Sequence, residues 1–218
     1  MLKNIINELK NHAPFTSFGA LTGILIIIVS LNMPTRISYN IFYVLHPIHV
    51  VLSALVTASI YKLHACDHFT KKCIKGQCNL WALLLIGYFG SVGIATISDS
   101  LIPYLGEILL DLPNRGVHLG FIEKWWLVNP LAILGVLFAY LRPTTKVPHA
   151  GHVLLSTWAS LFHILMAIGS VLPWYYYLII FFFLFLAVWT PCCLSDIVFP
   201  LLFVKQNNQK IDYKHEHG

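Results

Sequence analysis

Six apolar runs dominate this chain, at 18–31, 50–60, 81–97, 127–141, 153–174 and 175–191. They limit what it can fold into more than any motif does. A backbone crossing a bilayer must satisfy its own hydrogen bonds, which leaves helices or closed barrels. Barrel strands alternate in polarity over about ten residues, and these runs do not alternate. A spanning helix needs about 20 apolar residues. Composition agrees: 11% of the chain is charged, against about 25% in soluble domains. The expected fold is an all-α integral membrane protein with six transmembrane helices, near 17–33, 40–62, 80–103, 127–141, 150–172 and 174–204.

The six spans read as a duplication. HPIHVVLS at 46–53 recurs as HAGHVLLS at 149–156, and SDSLIP at 98–103 recurs as SDIVFP at 195–200. ALTGIL at 20–25 matches AILGVL at 132–137 more weakly, and Pro34-Thr35 corresponds to Pro143-Thr144. The matches come in the same order in both halves. A unit of three spans is odd, so its second copy enters the membrane upside down. The expectation is two inverted-topology three-helix repeats, an arrangement many secondary transporters use, with the site near the pseudo-two-fold axis. The chain then divides into an interfacial N-terminal segment (1–16), repeat 1 (17–105), an external connecting segment (106–126), repeat 2 (127–204) and a cytoplasmic tail (205–218). The N-terminal segment is expected to be a short amphipathic helix ending at Pro14.

Charge orients this bundle. Lys3, Lys10, Lys62, Lys71, Lys72, Lys75, Arg142, Lys146, Lys205, Lys210 and Lys214 fall on one side, 11 cations against the 3 of Arg36, Arg115 and Lys124. Cytoplasmic loops carry the excess of Lys and Arg, so both termini are expected in the cytoplasm. The net charge of +5 is then a topology signal, and the expected partners are the lipid bilayer and a cation rather than nucleic acid. Cys66, Cys73, Cys78, Cys192 and Cys193 fall at or near the cytoplasmic face, where thiols stay reduced.

Polar residues inside the apolar runs form stripes. His46, His49, Ser53, Thr57 and His64 share one face of span 2; His149, His152, Ser156, Ser160 and His163 share one face of span 5. Gly87, Ser91, Ala95 and Asp99 line span 3 at steps of four, small residues that let another helix approach. Ionisable groups inside a bilayer are costly and are functional candidates by default. Spans 2, 3, 5 and 6 are therefore expected to form the interior, with spans 1 and 4 peripheral.

Depth, counted at about 1.5 Å per residue, predicts two clusters. The outer one is His46, His49, His163 and Asp99; the inner one is His149, His152, His64 and Asp196. Each has three imidazoles and one carboxylate, a donor set suited to zinc, iron, cobalt, nickel or manganese. Ser98 and Ser195 are candidate hydrogen-bonding partners of the acids. Neither HxxH pair is an HExxH zinc-protease motif, because no Glu follows the first histidine.

Other features stand beside these. The loop HACDHFTKKCIKGQC at 64–78 matches no standard zinc module. Cys192 and Cys193 either add thiolates to the inner cluster or serve as small apolar core residues. In the external segment Glu107, Asp111, His118 and Glu123 either attract cations or form a solvated face. The pattern points first to a transporter of a divalent transition metal, proton-coupled through imidazoles that titrate near physiological pH. Two alternatives remain open: a metalloenzyme that activates water, and a b-type dihaem protein using His49/His163 and His64/His149.

Overall fold

The computed structural model describes residues 2–31, 33–65, 80–144, 146–169, 172–193 and 198–203. Regular structure among them is helical throughout: α1 (Leu2–Ser30), α2 (Thr35–Ala65), α3 (Leu80–Thr96), a π-helical turn (Ile97–Leu101), α4 (Ile102–Leu109), α5 (Gly120–Glu123), α6 (Trp125–Leu141), α7 (Lys146–Ala167), α8 (Trp174–Cys193) and α9 (Phe199–Leu202). Four stretches are long and apolar enough to cross a membrane: Ala13–Ser30, Thr35–Ala65, Leu80–Leu109 and Trp174–Cys192. Two more apolar helices, Trp125–Leu141 and Gly151–Ala167, are shorter. Large apolar side chains such as Leu25, Val29, Phe89, Phe138 and Phe182 face outward, which suits hydrocarbon better than water. The chain is of the helical membrane-protein class.

Several boundaries differ from the expected ones. α1 is one helix that continues through Pro14, so the N-terminal segment is not set off by a break there. Pro47, Pro130 and Pro191 likewise lie inside helices. An interior proline removes one backbone bond and bends a helix. In apolar surroundings, abandoning the helix would expose many more backbone groups, so the chain continues through it.

The centre of the bundle is the α2–α7 pair, which shares the most extensive contact of any two helices. α6 lies on α2 and α3, and α1 lies on α7 and α8. Small residues set these distances. A Cβ on Gly135 of α6 would fall 2.5 Å from the Val51 carbonyl oxygen of α2. A Cβ on Gly87 of α3 would fall 2.6 Å from the Val136 side chain of α6, so the small-residue face of span 3 receives a helix as expected. Phe42, Ile27, Leu161, Ile164, Ile180 and Leu184 fill the core shared by α1, α2, α7 and α8.

The π-helical turn follows from Pro103. Proline has no N–H to give to the carbonyl four residues back, so the ladder slips by one residue. The Ile102 N–H bonds the Ile97 carbonyl, five residues away, instead of that of Ser98. The widened turn buries three consecutive residues, Ser98, Asp99 and Ser100. Ser98's released carbonyl accepts the Ser160 hydroxyl of α7 at 2.9 Å. Ser100 donates to the His118 carbonyl at 2.6 Å. Turns of this type recur at functional positions in helices. At the matching place in the second half, Val198 is also π-helical, and Phe199-Pro200 opens α9 as Ile102-Pro103 opens α4.

Candidate metal centre

Asp99 is fully buried and is the hub of the polar interior. One oxygen, Oδ2, accepts from His49 Nδ1 at 2.7 Å and from His46 Nδ1 at 2.9 Å. The other, Oδ1, accepts from the hydroxyls of Ser98 at 2.7 Å and Ser156 at 2.8 Å. The HxxH spacing explains the first pair. Two residues three apart on a helix face the same way, and α2 turns that face toward the π-helical turn. Taking a carboxylate out of water costs several kcal/mol. Four bonds to a charged acceptor, at about 1.5–3 kcal/mol each, offset a cost of that size. Since a carboxylate only accepts, both rings carry a proton on Nδ1.

His152 of α7 stands beside His49, with ring centroids 5.5 Å apart. Two sets of three donors result among the described residues. His46, His49 and Asp99 offer two nitrogens and an oxygen within 4.8 Å of one another; His49, His152 and Cys192 offer two nitrogens and a sulfur on the same criterion. All five side chains are buried. Donors at about 2.0–2.3 Å from a common ion lie somewhat closer together than that limit, so small side-chain movements, with loss of the protons on the ligating nitrogens, bring each set onto one cation.

The two expected clusters are therefore redistributed. His46, His49 and Asp99 of the outer cluster do meet. His163 does not join them: its Nδ1 donates to Glu107 at 2.7 Å, and both groups are buried. Phe42 lies between, stacked on His46 at 5.3 Å and edge-on to His163 at 5.5 Å. Of the inner cluster, His152 stands beside His49, and His64 is exposed, its Nδ1 on the Ile60 carbonyl of its own helix. Asp196, Ser195 and the 66–79 loop lie outside the described residues, as does the side chain of His149. Ser98 bonds Asp99 as expected.

Glu107 is the important residue that sequence reasoning misplaced. It was grouped with Asp111, His118 and Glu123 as an external acidic face. It is instead buried, because α4 continues the third span to Leu109 and carries it inward. Its Oε2 also accepts the Gly116 N–H at 3.3 Å. Asp111 is exposed and pairs with Arg115 at 3.1 Å. His118 and Tyr43 both turn toward Glu123, at 3.4 Å and 2.6 Å. A signal for Glu107 existed: it lies eight residues beyond Asp99 in a stretch whose apolar character does not stop at Pro103.

Gly120 of α5 was not anticipated either. A Cβ there would fall 2.5 Å from His46 Nε2. That nitrogen has no hydrogen-bond partner among the described residues. The glycine lets α5 close directly over the ring.

Fold and site together define a class: a bundle of membrane-length apolar helices built around a buried carboxylate–imidazole centre. Comparison with known proteins takes this no further, since no family model matches the chain and no curated protein or solved structure is similar to it.

Proposed function

We propose that the protein is a membrane transporter of a divalent transition-metal cation, with His46, His49 and Asp99 binding the ion midway along its path. The observation that carries this reading is the convergence of two imidazoles on one fully buried carboxylate oxygen. A cation in a low-dielectric interior needs both a compensating charge and strong donors. Asp99 supplies the charge and orients both rings, and the serines hold its second oxygen. Zinc, iron, cobalt, nickel and manganese all accept such donors.

The proposed architecture is six spans in two inverted repeats, with both termini cytoplasmic. The packing supports it. Span 1 rests on spans 5 and 6 while span 4 rests on spans 2 and 3, the exchange that a pseudo-two-fold axis requires. The matching π-helical residues Leu101 and Val198, each followed by an X-Pro helix start, support it locally. The orientation rests on the Lys and Arg count alone.

The test is metal binding and uptake by purified protein in lipid vesicles loaded with a metal-sensitive dye. The wild type should bind and move at least one of the five metals, and His49→Ala should abolish movement while the protein still inserts. Failure to bind any of them would reject the reading. A Soret absorption band in the purified protein would favour the haem alternative. Binding without movement would favour the metalloenzyme.

A further inference from the structure

Cys192 lies in the last turn of α8 and is buried, with 2% of its surface exposed. Packed with Val153, Ala187 and Val188, it could be taken for a small apolar residue. Its surroundings are not simply apolar. Sγ lies 3.8 Å from the Ser156 hydroxyl, the same hydroxyl that donates to Asp99. His49 and His152 each bring a nitrogen within 4.8 Å of it. The three donors come from three helices, α2, α8 and α7.

We propose that His49, His152 and Cys192 form a second metal-binding station whose thiolate selects a thiophilic ion, zinc foremost, over manganese or magnesium. The inference rests on the metal-transport reading above and adds the class of cargo to it. Thiolate ligands favour zinc and other softer ions, whereas manganese and magnesium prefer oxygen. Three protein donors leave a coordination position open, which suits a site that must release its ion.

The two stations share His49. One imidazole serving both sets means that the two stations are adjacent and that occupancy of either involves the same ring. The donor set changes from two nitrogens and an oxygen to two nitrogens and a sulfur. Ser156 touches both stations, so loading one alters the hydrogen bonding of the other.

Cobalt(II) is the probe, added to the full-length protein in lipid nanodiscs as a visible substitute for zinc. The wild type should show a sulfur-to-cobalt charge-transfer band in the near ultraviolet. Cys192→Ser should lose that band and weaken zinc binding by about tenfold or more, with manganese binding changed less than about twofold. A variant with serine at positions 66, 73, 78 and 193 should keep the band. Cobalt bound by the wild type without a charge-transfer band would overturn the inference and leave the Asp99 site standing. A band lost in the four-serine variant would also overturn it, by assigning the thiolate elsewhere; these two outcomes hold even if Cys192→Ser does not fold. No cobalt or zinc bound at all would overturn the inference, and if iron, nickel and manganese also failed to bind, the transport reading would fall with it.

Discussion

Among the described residues two buried acids hold histidines, and they are built differently. Asp99 and Glu107 each accept an imidazole Nδ1–H at 2.7 Å. Asp99 takes two imidazoles and two hydroxyls, drawn from α2, α7 and its own turn. Glu107 takes one imidazole and one backbone N–H. A carboxylate has about four lone-pair sites, so Asp99 is saturated and fixes two rings at once. Glu107 ties α4 to α7 through a single side-chain pair. The same chemistry thus makes a convergent centre in one place and a helix-to-helix strut in the other. Convergence is what a cation needs, while one bond between neighbouring helices is enough for stability.

The sharpest way to break this comparison is Asp99→Asn. The amide keeps the shape and removes the charge, and its NH2 cannot accept a ring N–H. Metal affinity measured by equilibrium dialysis should fall by more than about 100-fold, beyond the range seen when only an outer partner is lost. Glu107→Gln should do the opposite. Thermal unfolding in detergent should show a loss of about 1.5–3 kcal/mol, the worth of a hydrogen bond to a charged group, with metal affinity within about threefold of wild type. If Glu107→Gln abolished binding and Asp99→Asn did not, the roles assigned to the two acids would be reversed.

Smaller changes sharpen the contrast. Gly120→Ala puts a methyl group against His46 and should displace the ring. Overpacking costs about 1–3 kcal/mol, and metal affinity should fall about tenfold because a ring is misaimed; unchanged affinity would show that His46 is a support and not a ligand. Ser156→Ala removes one of two hydroxyls on Asp99 Oδ1. It should cost about 1.5–3 kcal/mol of stability, read by thermal unfolding, and reduce affinity less than tenfold, read by equilibrium dialysis. His64→Ala should change neither quantity measurably, within about 0.5 kcal/mol, since that ring is exposed and bonds only its own helix. A large loss of affinity in that variant would restore His64 to the site.

How much of this was legible beforehand differs residue by residue. His46 and His49 were readable as a pair because three residues on a helix return to the same face, a property of the local backbone. Asp99 was readable as their partner because a buried acid requires donors and lies on a neighbouring span. His152 stands beside His49, a neighbour that depth along the spans did not give it. Its depth was counted from assumed span ends, and each misplaced residue shifts a helix position by about 1.5 Å. α2 starts at Thr35 instead of near residue 40, and α4 extends the third span to Leu109, so those depths were displaced. The partner of His163 was unreadable for a related reason: Glu107 was assigned to the solvent once Pro103 was taken as the end of a span.

By itself the sequence determined that this chain is helical and apolar enough to enter a membrane, and that its polar residues gather on particular helix faces. Both are properties of short stretches, set by side-chain transfer energy and the 3.6-residue period. Tertiary structure alone decided which stripes meet and at what height. It joined His49 to His152 and Cys192, it separated His163 from His46 by the width of Phe42, and it released the Ser98 carbonyl to Ser160. The physical reason is that crossing points between helices depend on small residues such as Gly135 and on a one-residue slip at Pro103, and each contact is fixed by two segments far apart in the chain.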